Sequence, residues 1–324
     1  MKNICVLILL LTISSHNFSQ VIVQNIDWRV GDLKYITAEV KGKVTENGVV
    51  KKDTAMFSRS ELLVNEESDS CYIIHIKTDN QLLELGHKFY EGLLEDYTNS
   101  AFMEFDVKVS KDSLSTEVLN KKELDESLCK TRDEIVEILI AKVPHKSEQA
   151  TAQLNELLPL IQQKEGLLNL LDLIIQSYKI EYSNTDTLFT TDSVANPFNL
   201  QHFNGATLKT YTEKSDVPGA FNIVVEKGYD FEAYKNLISQ MANQAVGVVG
   251  DVIDSKDYSN TMNKMGEVFS TLLRSYEFGA SDSFVVTRKI EQNWPIRISH
   301  KTDLKIKSNS NESIVLVDAL VDIK

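Results

Sequence analysis

Cys71-Tyr72-Ile73-Ile74-His75-Ile76-Lys77-Thr78 is the stretch that decides the fold class. Its apolar residues run almost without interruption, the pattern of a strand covered on both faces. Upstream, Ala55 to Val64 predicts a partner strand, joined across the polar Asn65-Glu66-Glu67-Ser68-Asp69-Ser70. Before it, Leu33 to Val44 mixes Tyr35, Ile36, Val40 and Val44 with polar residues. Glu46-Asn47-Gly48 then signals a hairpin ahead of Val49-Val50, because Asn and Gly tolerate the positive φ of a tight turn. Downstream, Ala101 to Ser110 alternates through Phe102, Phe105, Val107 and Val109. The N-terminal third is therefore expected to be an antiparallel meander.

Helical spacing interrupts these strands. Leu82, Leu85, Phe89, Leu93 and Tyr97 predict an amphipathic helix over Gln81 to Tyr97. Asn120 followed by Glu123 is a capping-box arrangement, opening a helix that should run to about Lys142 before Pro144. Its stripe is Leu124, Leu128, Ile135, Ile138 and Leu139. Ser147 to Glu181 is leucine-rich and helical, with Pro159 marking a kink or the first turn of a second helix. Turn chemistry at Ser183-Asn184-Thr185-Asp186 and Asn196-Pro197 places a loose divide there. Residues 21–182 then form a β-meander plus helices, and residues 183–324 a strand-helix-strand half.

In the second half Thr207 to Thr212 and Ala220 to Lys227 read as strands. Asp230 caps a helix through Ala245, broken by Gly247, Gly250 and Asp251. Met262, Met265, Phe269, Leu272, Leu273 and Tyr276 form a further stripe that stops at Gly279. Ser283 to Glu291, Pro295 to Lys307 and Ser313 to Asp322 are the closing strands, and their return to the first sheet would let both halves share one core. The fold class expected is α+β: antiparallel curved β-sheets with helices packed on one side. Phe105 to Val109 before Asn120 and Phe221 to Val225 before Asp230 suggest a duplicated strand-helix unit, though chance explains so short a similarity equally well.

Composition narrows the function classes. The 324 residues carry 34 Lys plus Arg against 47 Asp plus Glu, a net charge of −13. With no basic block, nucleic acid and anionic membrane surfaces are disfavoured as partners. Hydrophobic residues at 42% with 5 Pro and 13 Gly describe a globular chain able to bury a large core.

Ile4 to Ile13 is an apolar run after Lys2 and before Ser14-Ser15-His16-Asn17. It is too short to span a hydrocarbon layer, which takes about 20 residues, and matches the h-region of a secretory signal peptide. Residues 1–20 are read as that leader, an uncleaved anchor being the alternative. No later stretch reaches transmembrane length: Leu167 to Ile175 is interrupted by Asn169 and Asp172. Cys71 and Cys129 remain after the leader. Paired in an oxidising compartment they would stabilise the fold by about 4 to 5 kcal/mol in the chain-entropy model; the alternative is two unrelated buried thiols.

Catalytic signatures are missing. There is no G-x-S-x-G, P-loop or dinucleotide fingerprint, and Gly247-Val248-Val249-Gly250 reads as a helix terminator. His75, His87, His145, His202 and His300 stand apart in sequence, and His87 with Glu91 offers two ligands where zinc takes about four. Asp251 to Asp257 lacks the Gly and terminal Glu of an EF-hand. No catalytic, cofactor or metal residue is assigned. Paired carboxylates acting on a glycan stay open, since two acids need only converge at about 5 to 9.5 Å, and Trp28 and Trp294 could stack on sugars, although a core plug suits Trp294-Pro295 better.

One resemblance adds to this. Phe105-Asp106-Val107-Lys108-Val109-Ser110-Lys111-Asp112 leading to Leu119-Asn120-Lys121-Lys122-Glu123, together with the late Arg288-Lys289-Ile290-Glu291-Gln292-Asn293-Trp294-Pro295-Ile296, resembles uncharacterised exported proteins of Bacteroidetes over nearly the whole length after the leader. The resemblance implies a periplasmic or secreted protein and brings no activity or site residues. The expected function is an exported, non-catalytic binding or envelope-associated protein for an apolar small molecule or lipid, with the leucine-rich Leu157 to Ile175 and the sheet lining a cavity. The alternative is an exported hydrolase using paired carboxylates on glycan or peptide. Protein isolated from its host is expected to show, by intact mass, a cut between Ser15 and Gln20; a cytosolic chain still starting at Met1 would contradict the export reading.

Overall fold

The computed structural model describes residues 21–80, 102–142, 147–162, 164–195, 202–230, 277–308 and 311–324. Several expectations lie outside them: the leader, the helix over Gln81 to Tyr97, the Asn196-Pro197 turn, the Asp230 to Ala245 helix with its breakers, the Asp251 to Asp257 loop, the stripe from Met262 to Tyr276, and His87 and His145.

Eleven strands form one antiparallel sheet. In chain order the strands are β1 (Ile22–Val23), β2 (Leu33–Glu46), β3 (Val49–Glu67), β4 (Cys71–Asp79), β5 (Phe102–Ser110), β6 (Thr116–Val118), β7 (Glu181–Tyr182), β8 (Leu188–Ala195), β9 (His202–Lys214), β10 (Ala220–Tyr229), β11 (Glu277–Lys289), β12 (Arg297–Lys307) and β13 (Glu312–Ile323). The sheet order is β6-β5-β4-β3-β2-β13-β12-β11-β10-β9-β8, and β1 pairs separately with β7. The closing strands do return to the first sheet: β13 pairs with β2 from Ser313 opposite Glu46 to Ile323 opposite Ile36.

Local chemistry explains most element boundaries. Asn47 and Gly48 both have positive φ, 49° and 78°, so the Asn-Gly step makes the β2–β3 hairpin. β3 is longer than expected, because Lys52 to Thr54 also pair, opposite Val44 to Gly42, with Lys51 left over at a bulge. Helices α1 (Lys121–Lys142), α2 (Ser147–Gln162) and α3 (Lys164–Tyr178) follow β6. Pro159 lies in the last turn of α2 rather than opening α3. The Asn120 side chain does not close a capping box; its Oδ1 accepts the Asp106 backbone N–H at 2.9 Å, tying the helix start to β5. Gly279 does not end a helix, because it sits inside β11. The short strands β1, β6 and β7 and the edge strand β8 carry too little periodicity for the sequence to announce them.

Burial follows period two. In β4, Tyr72, Ile74, Ile76 and Thr78 are buried while Cys71, Ile73, His75 and Lys77 are half-buried. The strand expected to be covered on both faces is thus covered on one. That face continues through Ile36, Ala38, Leu62, Val64, Phe105, Val107, Val321, Ile298, Val286 and Ile223, and it shares one core with Leu124, Leu128, Ile135 and Leu139 of α1 and with Leu168, Leu171, Ile174 and Ile175 of α3. The architecture is therefore an antiparallel sheet with helices contributing to the same core. The leucines expected to line a cavity are packed: Leu158, Leu168 and Leu171 are all buried.

A knot of aromatic and polar groups closes one end of this core. Trp28 is fully buried and stacks on Trp294 at 4.5 Å, so neither ring is free to stack on a sugar. Trp28 Nε1 donates to the Tyr178 hydroxyl at 3.0 Å, and that hydroxyl donates to the Asn293 carbonyl at 2.5 Å. Arg288, also fully buried, lies 4.3 Å over the Tyr178 ring and donates to Ser177 Oγ at 2.8 Å and to the Asn293 carbonyl at 3.3 Å. Burial pushes the Tyr178 phenol up and the Arg288 guanidinium down from their ordinary values. Replacing Trp28 with Ala is expected to cost about 3 to 5 kcal/mol, from lost transfer energy plus a cavity, measured by urea unfolding followed through Tyr and Trp fluorescence; a loss under about 1 kcal/mol would deny this knot its role.

Candidate functional site

Antiparallel register carries the core face into the second half of the sheet. Ile223 opposes Val286, Val286 opposes Ile298 and Thr212 opposes Ile223, so alternate residues from these point to the same side. One step further along the strands, that side carries Leu188 and Thr190 of β8, Leu208 and Thr210 of β9, Val225 of β10 and Phe284 of β11. Together with Gln176 in the last turn of α3 and Lys179, Ile180 and Glu181 after it, they line a hollow of about 370 Å³. Ligand pockets occupy roughly 300 to 1,000 Å³, with apolar walls and few polar groups. The floor here is apolar.

The next step along the same strands is charged. Lys227 pairs with Asp192. His300 Nε2 donates to Asp282 Oδ1 at 2.6 Å, and Thr302 Oγ1 donates to the same oxygen at 3.1 Å. The His300 ring meets Phe284 edge to face at 5.7 Å, so hollow and charged row are contiguous. For Asp282, burial raises the carboxyl, and the hydrogen bonds from His300 and Thr302 with the charges of His300 and Lys227 outweigh it, holding it below its ordinary value. The hydrogen bond to Asp282 raises His300, against its partial burial. Both shifts favour an ion pair.

In this arrangement the histidine and the threonine both serve the aspartate. A nucleophile must give its proton to the histidine, whereas the Thr302 hydroxyl donates to the aspartate. A general acid needs a raised carboxyl, whereas Asp282, Glu226 and Glu312 are all held down, the last two by hydrogen bonds from Lys209 and Lys305 respectively. Among the described residues no group of three or more His, Cys, Asp and Glu gathers as a metal site would need.

Sequence spacing treated each histidine as solitary. Besides His300, His75 Nδ1 donates to Asp106 Oδ1 at 2.9 Å on the opposite side of the sheet. Both pairs join neighbouring strands, so only the register brings them together. Cys71 and Cys129 are free thiols in this structure. Cys71 Sγ lies 3.2 Å from Ser68 Oγ in the β3–β4 turn, and Cys129 Sγ on α1 accepts from Gln162 Nε2 of α2 at 3.8 Å. A wider groove of about 920 Å³ along α1 is lined by charges that satisfy one another, as in the i, i+4 pairs Lys121–Asp125, Lys122–Glu126 and Lys130–Glu134.

No protein-family model and no curated protein matches the chain. Among solved structures it is similar to a lipovitellin chain, from a structure of lipid-protein interactions in lipovitellin, at a TM-score of 0.40 and 4% identity. The match covers 92% of this chain, which spans about a quarter, 25%, of the lipovitellin chain. It is also similar to Ail, the attachment invasion locus protein of Yersinia pestis, at a TM-score of 0.15 and 5% identity, covering 91% of this chain and 100% of Ail. Scores this low establish no common fold. No helix among the described residues is long and apolar enough to cross a membrane.

The His300–Asp282 pair has a defined pH signature. With His300 raised, its contribution is complete below the ordinary imidazole value of about 6.5 and is lost as pH rises through the raised value. With Asp282 lowered, its contribution is present above the ordinary carboxyl value of 3.8 and is lost as pH falls through the lowered one. Stability from the pair should therefore peak in mildly acidic solution, and His300→Gln should flatten the alkaline decline in urea midpoints taken from about pH 5 to pH 8. An unchanged decline would remove His300 as its source.

Proposed function

We propose that this is an exported, non-catalytic binding or envelope-associated protein, periplasmic or secreted, in which a curved antiparallel sheet with helices on one side holds an apolar small molecule or lipid chain. The observation that carries the reading is the hollow beside the end of α3, whose floor of Leu188, Leu208, Val225 and Phe284 sits on a sheet face that elsewhere is packed core. An apolar ligand there replaces the packing that the helices provide further along the sheet, at roughly 25 cal/mol for each Å² of apolar surface removed from water. The charged row of Lys227, Asp192, Asp282 and His300 lies at one margin, where a ligand's polar end would rest while its apolar part covers the floor. The leucine-rich helices contribute the rigid wall rather than the lining.

Two measurements test this. Native mass spectrometry of protein taken from its own host should show an added lipid-sized mass that denaturation releases. Leu208→Glu, which sets a carboxylate on the floor, should weaken an environment-sensitive fatty-acid probe at least tenfold, about 1.4 kcal/mol, with the melting temperature nearly unchanged. Delipidated protein that takes up no apolar probe would overturn the reading.

A further inference from the structure

We propose that the end of the sheet where β2 begins and β13 finishes is a binding site for a multivalent oxyanion, a phosphate or sulfate group. A hollow of about 500 Å³ opens there, and its lining includes Arg29, Lys34, Lys289, Lys324 and Trp294. It shares no residue with the apolar hollow described above.

The argument is one of charge left uncompensated. In a chain of net charge −13, Lys41, Lys77, Lys111, Lys209, Lys227 and Lys305 each sit in an ion pair. Among the described residues, none of the four cationic side chains of this hollow, Arg29, Lys34, Lys289 and Lys324, forms an ion pair. Lys34 is held instead over the Trp294 ring, its Nζ 5.9 Å from the centroid, an arrangement that keeps the ammonium charge unneutralised. Two acids line the same hollow, Asp32 and Glu291. The Asp32 carboxylate is fixed by neutral donors, Trp294 Nε1 at 3.2 Å and the Arg29 backbone N–H at 3.0 Å, and four cationic side chains against these two acids leave the lining with an excess of positive charge.

Behind the wall the charge increases again. Arg288 is wholly buried without a carboxylate partner among the described residues, and it holds the carbonyl of Asn293, another lining residue. Cationic groups gathered in a concavity focus potential more strongly than the same groups on a convex surface. Guanidinium and ammonium donors converging from several sides match the oxygens of a tetrahedral anion.

The test uses the full chain with inorganic pyrophosphate as the probe, titrated by calorimetry at two salt concentrations. Saturable binding is expected, weakened by salt and reduced at least tenfold in the double variant R29Q/K289Q. The control is K51Q/K52Q, two exposed and equally unpaired lysines at the opposite end of β3, which should leave binding unchanged. Matching melting temperatures for the variants separate lost binding from lost structure. A second arm uses vesicles containing phosphatidic acid, whose headgroup is a phosphomonoester: sedimentation that R29Q/K289Q abolishes assigns the oxyanion to a lipid headgroup, and pyrophosphate binding without sedimentation assigns it to a soluble ligand. No saturable binding in either arm, or equal weakening by K51Q/K52Q, overturns the proposal. Because the two hollows are separate, failure here leaves the apolar-ligand reading intact, and the Leu208→Glu experiment is blind to this site.

Discussion

The antiparallel seam between β13 and β2 is the constraint on which the rest of the structure depends. It joins strands from the two ends of the chain, so the halves on either side become one sheet instead of two with exposed edges. The seam's register is set by burial. Ile36 and Ala38 on β2 and Val321 and Ile323 on β13 all belong to the core, and a slip of one residue would turn each pair outward together. Since the described helices pack on the face these residues define, the seam also decides which side of the second half faces them and where the apolar floor lies.

The knot around Trp28 reinforces this join from inside. It draws together the segment before β2, the end of α3 and the loop between β11 and β12, three pieces distant in the chain. Its hydrogen bonds do what apolar packing alone does poorly: they permit one arrangement, because a shifted partner would leave buried polar groups unpaired. Burying Arg288 there without a countercharge among the described residues is costly. The cost is partly offset by the Tyr178 ring, Ser177 and the Asn293 carbonyl. The same knot shapes both hollows. Its Tyr178 side ends α3 beside the apolar floor, and its Trp294 side walls the cationic end of the sheet.

Local signals in the sequence proved reliable where the physics is local. The Asn47-Gly48 turn, the α1 stripe of Leu124, Leu128, Ile135 and Leu139, and the strands at Cys71 to Thr78 and Ala220 to Lys227 all stand close to where pattern places them. Errors arose where a residue's role depends on something distant. Asn120 has the right neighbours for a capping box, yet a strand amide outbids the helix for its oxygen. Gly279 looks like a stop signal beside a helical stripe and is instead a strand residue opposite Lys305. Ile73 reads as core because it is apolar, whereas its side of the sheet is the less covered one.

What the sequence determined by itself is the alphabet of elements: period two for the strands, a period near 3.6 for α1, a positive-φ dipeptide at the hairpin, and an acidic, globular composition. These depend on residues a few positions apart, and their energies are expressed in any context. Which strands become neighbours was decided only by the tertiary structure, and with it the meeting of His300 with Asp282, the burial of both tryptophans, and the gathering of Arg29, Lys34, Lys289 and Lys324 around one hollow. Such groupings join residues up to nearly three hundred positions apart, and nothing in a linear pattern encodes a register that only the burial of a shared face selects.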